Sequence, residues 1–235
     1  MKLKLGGLQE TSLLDYPGKI CAIVWTVGCN FRCPFCYNTN MVYGKTELVT
    51  VDHVLSFLNK RKGKLDALSI TGGEPLLHED LELFIRKVKN LGFLVKLDTN
   101  GTFPQRLKNL LDEKLVDYVS MDIKAPIEKY DQLAGVHVDT EQIKKSINLI
   151  MKKAADYEFK TTVIPGLLKK EDIKTIATMI KGAKRYYLQQ FKMDVPIINQ
   201  ELLSNAKPYA QKDFEEMKEY ALSLVETCFL RGVKT

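Results

Sequence analysis

Apolar and polar positions switch between two periods along the chain. Residues 19–27 (KICAIVWTV) form a short apolar, β-branched run, the signature of a buried strand. Val51, Val54, Leu55 and Leu58 then fall at i, i+3, i+4 and i+7 behind Thr50 as N-cap, which predicts an amphipathic helix. The exchange recurs. A strand is predicted over 68–71, a helix carrying Leu81, Phe84, Ile85 and Val88, a strand over 94–98, and a helix opened by Pro104 with Leu107, Leu110 and Leu111 on one face. Further strands are predicted over 118–123, 159–164 and 186–191. Helices are predicted over 140–153, around Ile173, Ile176, Ala177 and Ile180, and over 213–229 with Met217, Tyr220, Ala221 and Leu224 inward.

Six β/α units in a row imply parallel strands joined by right-handed crossovers. Eight would close a barrel. Six predict an open arrangement, either a partial barrel or a doubly wound sheet. No linker rich in Pro, Gly or Ser divides the units, so residues 1–235 are read as a single domain, with a core over about 19–191 and a C-terminal loop and helix over 194–235. Within the latter, residues 194–211, with Pro196 and Pro208, read as a long loop crossing one end.

Composition narrows the class. The chain is 45% hydrophobic and 27% charged, a balance that excludes a disordered tail, a collagen or a disulfide miniprotein. No apolar run approaches the ~18 residues of a membrane span. The opening MKLKLGGLQETSLLDYPGK lacks the sustained apolar core of a secretory signal, so a cytoplasmic chain with no membrane partner is expected. The net charge of +6 is mild, and no basic block exceeds Lys60 to Lys64, so no nucleic-acid partner is expected. Cys29, Cys33 and Cys36 crowd together while Cys21 and Cys228 lie apart. In a reducing compartment such crowding favours a metal over disulfides.

Parallel β/α folds build their sites at the C-terminal ends of the strands. Here those ends read GCNFRCPFC, TGGEP, DTNG, MDIK, VIPG and LQQF in chain order, six polar or glycine-rich ends on one rim. The triplet has the spacing C-x3-C-x2-C. Thiolates select zinc, copper(I) or iron–sulfur clusters. Three of them leave a four-iron cluster one open coordination position. The alternative is a zinc site completed by Cys21, His53 or a distant group. Cys21 falls inside the first strand and makes a poor fourth ligand. Gly72 and Gly73 allow close approach of backbone to a ligand, and Glu74 could accept hydrogen bonds from an ammonium group. The alternative for GGEP is a plain strand-to-helix turn. Asp98 and Asp122 end neighbouring units, and Lys124 lies two residues beyond Asp122, on the same face of an extended chain. These three could hold a cation and a ligand carboxylate, or form a solvated rim. His53, His78 and His137 read as surface or loop residues, and Trp25 as core.

The octet Cys29-Asn30-Phe31-Arg32-Cys33-Pro34-Phe35-Cys36 together with Gly72-Gly73-Glu74-Pro75 resembles the radical S-adenosylmethionine superfamily. Within it, TSLLDYPGKICAIVWTVGCNFRCPFCYN, DTNG, MDIKAP, VIPG and LQQF are similar to the activases of glycyl-radical enzymes, above all to those of anaerobic ribonucleoside-triphosphate reductase. The resemblance runs from about Gly7 to Phe191. It implies a partial, open (β/α)6 barrel with parallel strands. It implies a [4Fe-4S] cluster on Cys29, Cys33 and Cys36, and S-adenosylmethionine on its free iron. Gly72, Gly73 and Glu74 would then sit at the methionine amino group, and the backbone around Phe35, Tyr37 and Asn38 at the adenine. Asp98, Thr99 and Asp122 would flank a monovalent or divalent cation beside the cofactor carboxylate. Lys124, taken as the catalytic side chain, would reach that carboxylate, and Val163 would line the adenine end.

The expected reaction is reductive cleavage to a 5′-deoxyadenosyl radical that takes hydrogen from a glycine of a glycyl-radical enzyme, with a flavodoxin or ferredoxin as electron donor. The chain reads Cys36-Tyr37-Asn38 where the activases usually have a histidine, and it has no cysteine-rich insertion for a second cluster. A radical enzyme acting on a small molecule, of the 7-carboxy-7-deazaguanine synthase type, and a zinc-bearing binding module are the rivals.

Overall fold

All six expected strands form, side by side and in chain order, in one sheet of eight. The structure, a computed structural model, describes residues 2–192, 195–201 and 207–233. Strand β1 spans Leu5–Ser12, β2 Cys21–Thr26, β3 Ala67–Gly72, β4 Leu94–Thr99, β5 Tyr118–Asp122, β6 Asp156–Val163, β7 Tyr186–Gln190 and β8 Cys228–Arg231. From β2 to β8 every neighbour pair is parallel, and β1 runs antiparallel to β2. With β1 and β8 at opposite edges the sheet stays open, as a partial barrel.

The helices that return the chain between strands are α2 (Val51–Lys60), α3 (Leu81–Asn90), α4 (Pro104–Asp112), α6 (Thr140–Lys153) and α7 (Lys170–Met179), and α8 (Gln211–Leu222) precedes the last strand. Two short helices, α1 (Thr39–Tyr43) and α5 (Tyr130–Ala134), lie in the loops after β2 and β5. The Thr50 hydroxyl accepts from the His53 amide at 3.1 Å and starts α2, as its N-cap position predicts. The apolar stripes, such as Leu81, Phe84, Ile85 and Val88 on α3, are buried against the outer face of the sheet. Among the described residues no helix is long and apolar enough to cross a membrane.

Two elements differ from expectation. The helix expected over 213–229 ends at Leu222, and Cys228–Arg231 adds a parallel strand to β7. The turn is made by the Leu224 carbonyl, which accepts from the Gly182 amide at 2.8 Å and draws the chain back to the sheet edge. Four residues are too few for period to declare a strand. Strand β1 was not expected, because LGGLQETS carries two glycines and no apolar alternation. Gly6 is needed there. A Cβ on it would lie 2.6 Å from Met41 Sδ and 2.7 Å from Thr46 and Val27 side-chain carbons.

The inner face of the sheet holds the site. Successive residues on a strand alternate faces. Cys21, Ile23, Ala67 and Tyr118 face inward and form a second apolar cluster with Tyr16, against which Trp25 and Leu94 lean. Tyr16 comes from the β1–β2 hairpin, with its ring 5.5 Å from that of Tyr118, so the TSLLDYPGK segment plugs the end of the barrel at which β2 and β5 begin. Strand parity then places Lys96, Asp98, Ser120, Asp122, Glu158 and Lys160 on the same inner face, nearer the open mouth.

Candidate active site

The cysteine loop leaves the end of β2 under tight backbone control. Gly28 adopts φ +100°, and its amide donates to the Met41 carbonyl at 2.8 Å. The loop then docks on α5: the Arg32 amide donates to Ala134 O at 2.8 Å, and a Cβ on Gly135 would fall 2.1 Å from Arg32 O. The Arg32 guanidinium folds back to the Cys29 and Phe31 carbonyls at 2.6 and 2.7 Å. Thus the residues between Cys29 and Cys33 are held by backbone contacts, which leaves the thiols to other partners. Phe31 N donates to Cys29 Sγ at 3.4 Å, and the Asn38 backbone bonds the Cys36 thiol.

All five cysteines are free. Cys21 lies in the apolar plug and Cys228 in the main core, so neither joins the triplet. Burial pushes the Cys29 thiol up to about 12 and that of Cys33 up to about 11. Such thiols stay neutral until a bound metal deprotonates them. Among the described residues no three His, Cys, Asp or Glu side chains converge tightly enough for a single ion. Three thiols on one short loop, with Cys21 and Cys228 placed elsewhere, match a cluster that keeps one position open better than a closed four-ligand zinc site.

GGEP is the clamp between this loop and the sheet. Gly73 N donates to Thr26 O and Glu74 N to Gly28 O, both at 2.9 Å. A Cβ on Gly73 would lie 2.0 Å from Gly28 O, and one on Gly72, whose φ is +119°, 2.4 Å from Thr26 N. Glu74 is fully buried. Its carboxylate accepts from Leu76 N at 3.0 Å, Thr99 Oγ1 at 2.8 Å and Asn100 N at 2.7 Å. So Glu74 braces the ends of β3 and β4, and Thr99 serves that brace rather than the inner face.

Burial pushes the Glu74 carboxyl up to about 7, against the three donors, which pull it down. A carboxyl with a folded value above its unfolded one gains a proton on folding. Its contribution to stability therefore weakens as pH rises from about 5 to about 7. Thermal melts of the cluster-free protein are expected to drop in midpoint across that window. Glu74→Gln is expected to flatten the slope and to cost about 1–3 kcal/mol, because the Asn100 amide then faces an amide donor.

On the inner rim, Asp98 pairs with Lys96, and its second oxygen lies 3.5 Å from Lys160 Nζ. Asp122 lies 3.4 Å from Lys124 Nζ and 3.7 Å from Lys160 Nζ. Burial alone would raise the Asp98 carboxyl, yet Lys160 and Lys96 hold it well below the usual carboxylate range. Burial would lower Lys124, but the Asp122 carboxylate beside it pushes it up, so it stays charged. Its Nζ sits 5.9 Å from the centre of the Phe35 ring, a cation–π approach that joins the rim to the cysteine loop.

The structure thus gathers Cys29, Cys33, Cys36, Phe35, Gly72, Gly73, Glu74, Asp98, Asp122 and Lys124 at one mouth. Tyr37, 55% exposed, and half-buried Asn38 follow the triplet at its outer edge. Val163 ends β6 and is buried, in the same apolar cluster as Phe35 and Cys33.

Other site residues escaped sequence reasoning. The Asn100 side chain donates through Nδ2 to Asn30 Oδ1 at 2.9 Å, and Asn30 Nδ2 donates to Thr102 Oγ1 at 2.9 Å, tying the cysteine loop to the turn after β4. Ile198 N and Asn199 N donate to the Cys36 and Pro34 carbonyls at 3.1 and 2.8 Å. The expected long loop therefore touches the site where it is described, while 194 and 202–206 lie outside the described residues. Lys160 also escaped: it reaches Asp98 and Asp122 only because the register sets it across from Asp122 on the neighbouring strand.

Residues 23–181 match the model of the radical SAM superfamily. A putative glycyl-radical enzyme activating enzyme of Methanocaldococcus jannaschii is 36% identical over 197 residues, 82% of this chain and 81% of the relative. A 7-carboxy-7-deazaguanine synthase of Thermoplasma acidophilum is 32% identical over 114 residues, 48% of this chain and 52% of its own. Among solved structures, SuiB of Streptococcus suis bound to S-adenosylmethionine superposes with a TM-score of 0.67 at 15% identity, over 88% of this chain and 48% of that one, a likeness of fold. With a thiol triplet that fits a cluster and a family match over more than half of the chain, the chain belongs to the radical SAM superfamily, whose enzymes use a [4Fe-4S] cluster and S-adenosylmethionine.

Proposed function

We propose that this chain is a cytoplasmic activase that installs a glycyl radical on a partner enzyme, with anaerobic ribonucleoside-triphosphate reductase as the partner and a flavodoxin or ferredoxin as electron donor. The observation that carries the reading is the reach of the similarity. The relative named as a glycyl-radical enzyme activating enzyme matches 82% of the chain, and the synthase under half of it. When bound, the cluster and S-adenosylmethionine supply a 5′-deoxyadenosyl radical.

The chain's own residues prepare the place. Cys29, Cys33 and Cys36 would hold the cluster. The Gly72–Gly73 backbone offers carbonyls to the methionine amino group, kept in position by the buried Glu74 brace. Lys124 offers its ammonium to the methionine carboxylate, steered by Asp122. The open side of the barrel leaves room for a loop of another protein to enter.

Lys124→Ala is expected to weaken S-adenosylmethionine binding roughly ten- to hundredfold, the worth of a charge-assisted hydrogen bond, with iron content unchanged. Calorimetric titration of the oxidised protein measures it, and equal affinity would return Lys124 to a solvated rim. The function itself is tested by anaerobic incubation with S-adenosylmethionine, a strong reductant and the reductase. A glycine-centred radical in the paramagnetic resonance spectrum is expected. Release of 5′-deoxyadenosine without a radical on the reductase would overturn that partner.

A further inference from the structure

The rim beside the cysteine loop carries two carboxylates and three ammonium groups. Asp98 is the last residue but one of β4, Asp122 ends β5, and Lys160 stands directly across from Asp122 on β6 in the strand register. Lys160 Nζ lies 3.5 Å from Asp98 Oδ2 and 3.7 Å from Asp122 Oδ2. The other oxygens are also taken: Asp98 Oδ1 pairs with Lys96, and Asp122 Oδ1 lies 3.4 Å from Lys124 Nζ. Each of the four carboxylate oxygens therefore faces an ammonium. These side chains are shielded, at 6% exposure for Lys96, 16% for Lys160 and 15% for Lys124. Below them Glu158 is matched by Arg231 at 3.3 Å, which leaves the rim charges to balance among themselves.

The sequence resemblance implied a metal cation between Asp98 and Asp122. That place is filled by the Lys160 ammonium, and a metal ion entering it would displace Lys160 and meet Lys96 and Lys124 as like charges. We propose that Lys160 is a built-in cation. It bridges Asp98 and Asp122, so the rim receives a ligand carboxylate through Lys124 without a bound metal ion. Three ammonium groups against two carboxylates leave one positive charge, the complement of one ligand carboxylate. Lys160 is a positioning residue: it holds the two aspartates together, and Asp122 in turn aims Lys124. The proposal rests on the reading that the S-adenosylmethionine carboxylate sits at this rim.

The test is equilibrium binding, with no turnover. S-Adenosylmethionine is titrated into the cluster-loaded, oxidised protein in sodium, potassium, magnesium and choline buffers of equal ionic strength. Wild type is expected to bind alike in all four, within about twofold. Lys160→Gln is expected to lose about tenfold or more in choline, the worth of a charge-assisted contact, and to recover in sodium or potassium, as a small cation takes the vacated position. Lys160→Arg is expected to keep the cation independence of wild type. Wild-type binding that requires a metal cation would overturn the proposal and leave the cofactor site standing. Lys160→Gln binding like wild type in choline would do the same. No binding by wild type in any buffer would overturn the site reading itself, and this proposal with it.

Discussion

Cys29→Ala, Cys33→Ala and Cys36→Ala are each expected to abolish iron retention after anaerobic reconstitution, while Cys21→Ala and Cys228→Ala keep it in full. The three thiols share one short loop, pinned before Cys29 by Gly28 to Met41 and between Cys29 and Cys33 by Arg32 to Ala134. Removing one leaves two thiolates for a cluster that must also keep a site open for the cofactor, and no other cysteine can be recruited. Cys21 is sealed in the plug beside Tyr16 and Tyr118, and Cys228 in the core under α8. Their loss should cost stability only, on the order of 1 kcal/mol for a small buried group. Iron and sulfide per chain, with the visible absorption, decide the matter. Iron lost from Cys21→Ala would close the open position on which cofactor binding depends. Zinc in place of iron would overturn the cluster.

What could be read in the sequence follows from how each signal is encoded. The six central strands and their helices were legible because both faces of the sheet are covered or plugged, so strands such as CAIVWT are continuously apolar and the helices carry clean stripes. The edges were not. Strand β1 pairs on one side only and carries Gly6 for close packing against Met41, and β8 is four residues long. The cysteine triplet and GGEP were legible because their spacing is local. The rim was half legible. Asp122 and Lys124 share a face through strand parity, as expected, and their separation of 3.4 Å agrees. Lys160 belongs to the same group through register with another strand, and register is not written in either segment alone. Glu74 was expected to offer its carboxylate to a ligand. It spends that carboxylate on Leu76, Thr99 and Asn100, contacts that span up to 26 residues and that only the folded sheet brings together.

Gly73→Ala is expected to leave a folded protein that no longer holds its cluster. The added methyl would lie 2.0 Å from Gly28 O, 2.6 Å from Gly28 C and 3.2 Å from Cys29 N. None of these is the flexible end of a side chain, so relief requires moving the backbone that carries Cys29. The obvious escape is to break the Glu74 N to Gly28 O bond, which would also release the Glu74 brace from the loop. Forced overpacking of this kind costs about 1–3 kcal/mol, a loss the cluster-free fold can survive. The cluster cannot absorb the shift so easily, because its three ligands are set by the same few residues. Gly7→Ala is the control. Its methyl would meet nothing closer than a Trp25 ring carbon at 3.4 Å, and its loss of freedom falls on the edge strand β1, outside the GGEP clamp. Thermal midpoints of the cluster-free proteins and iron per chain after reconstitution separate the two effects. Gly73→Ala should show a modest drop in midpoint and a near-complete loss of iron, Gly7→Ala little of either. Full iron and wild-type cofactor affinity in Gly73→Ala would mean that the loop does not depend on this contact. The second glycine of GGEP would then matter for the turn alone.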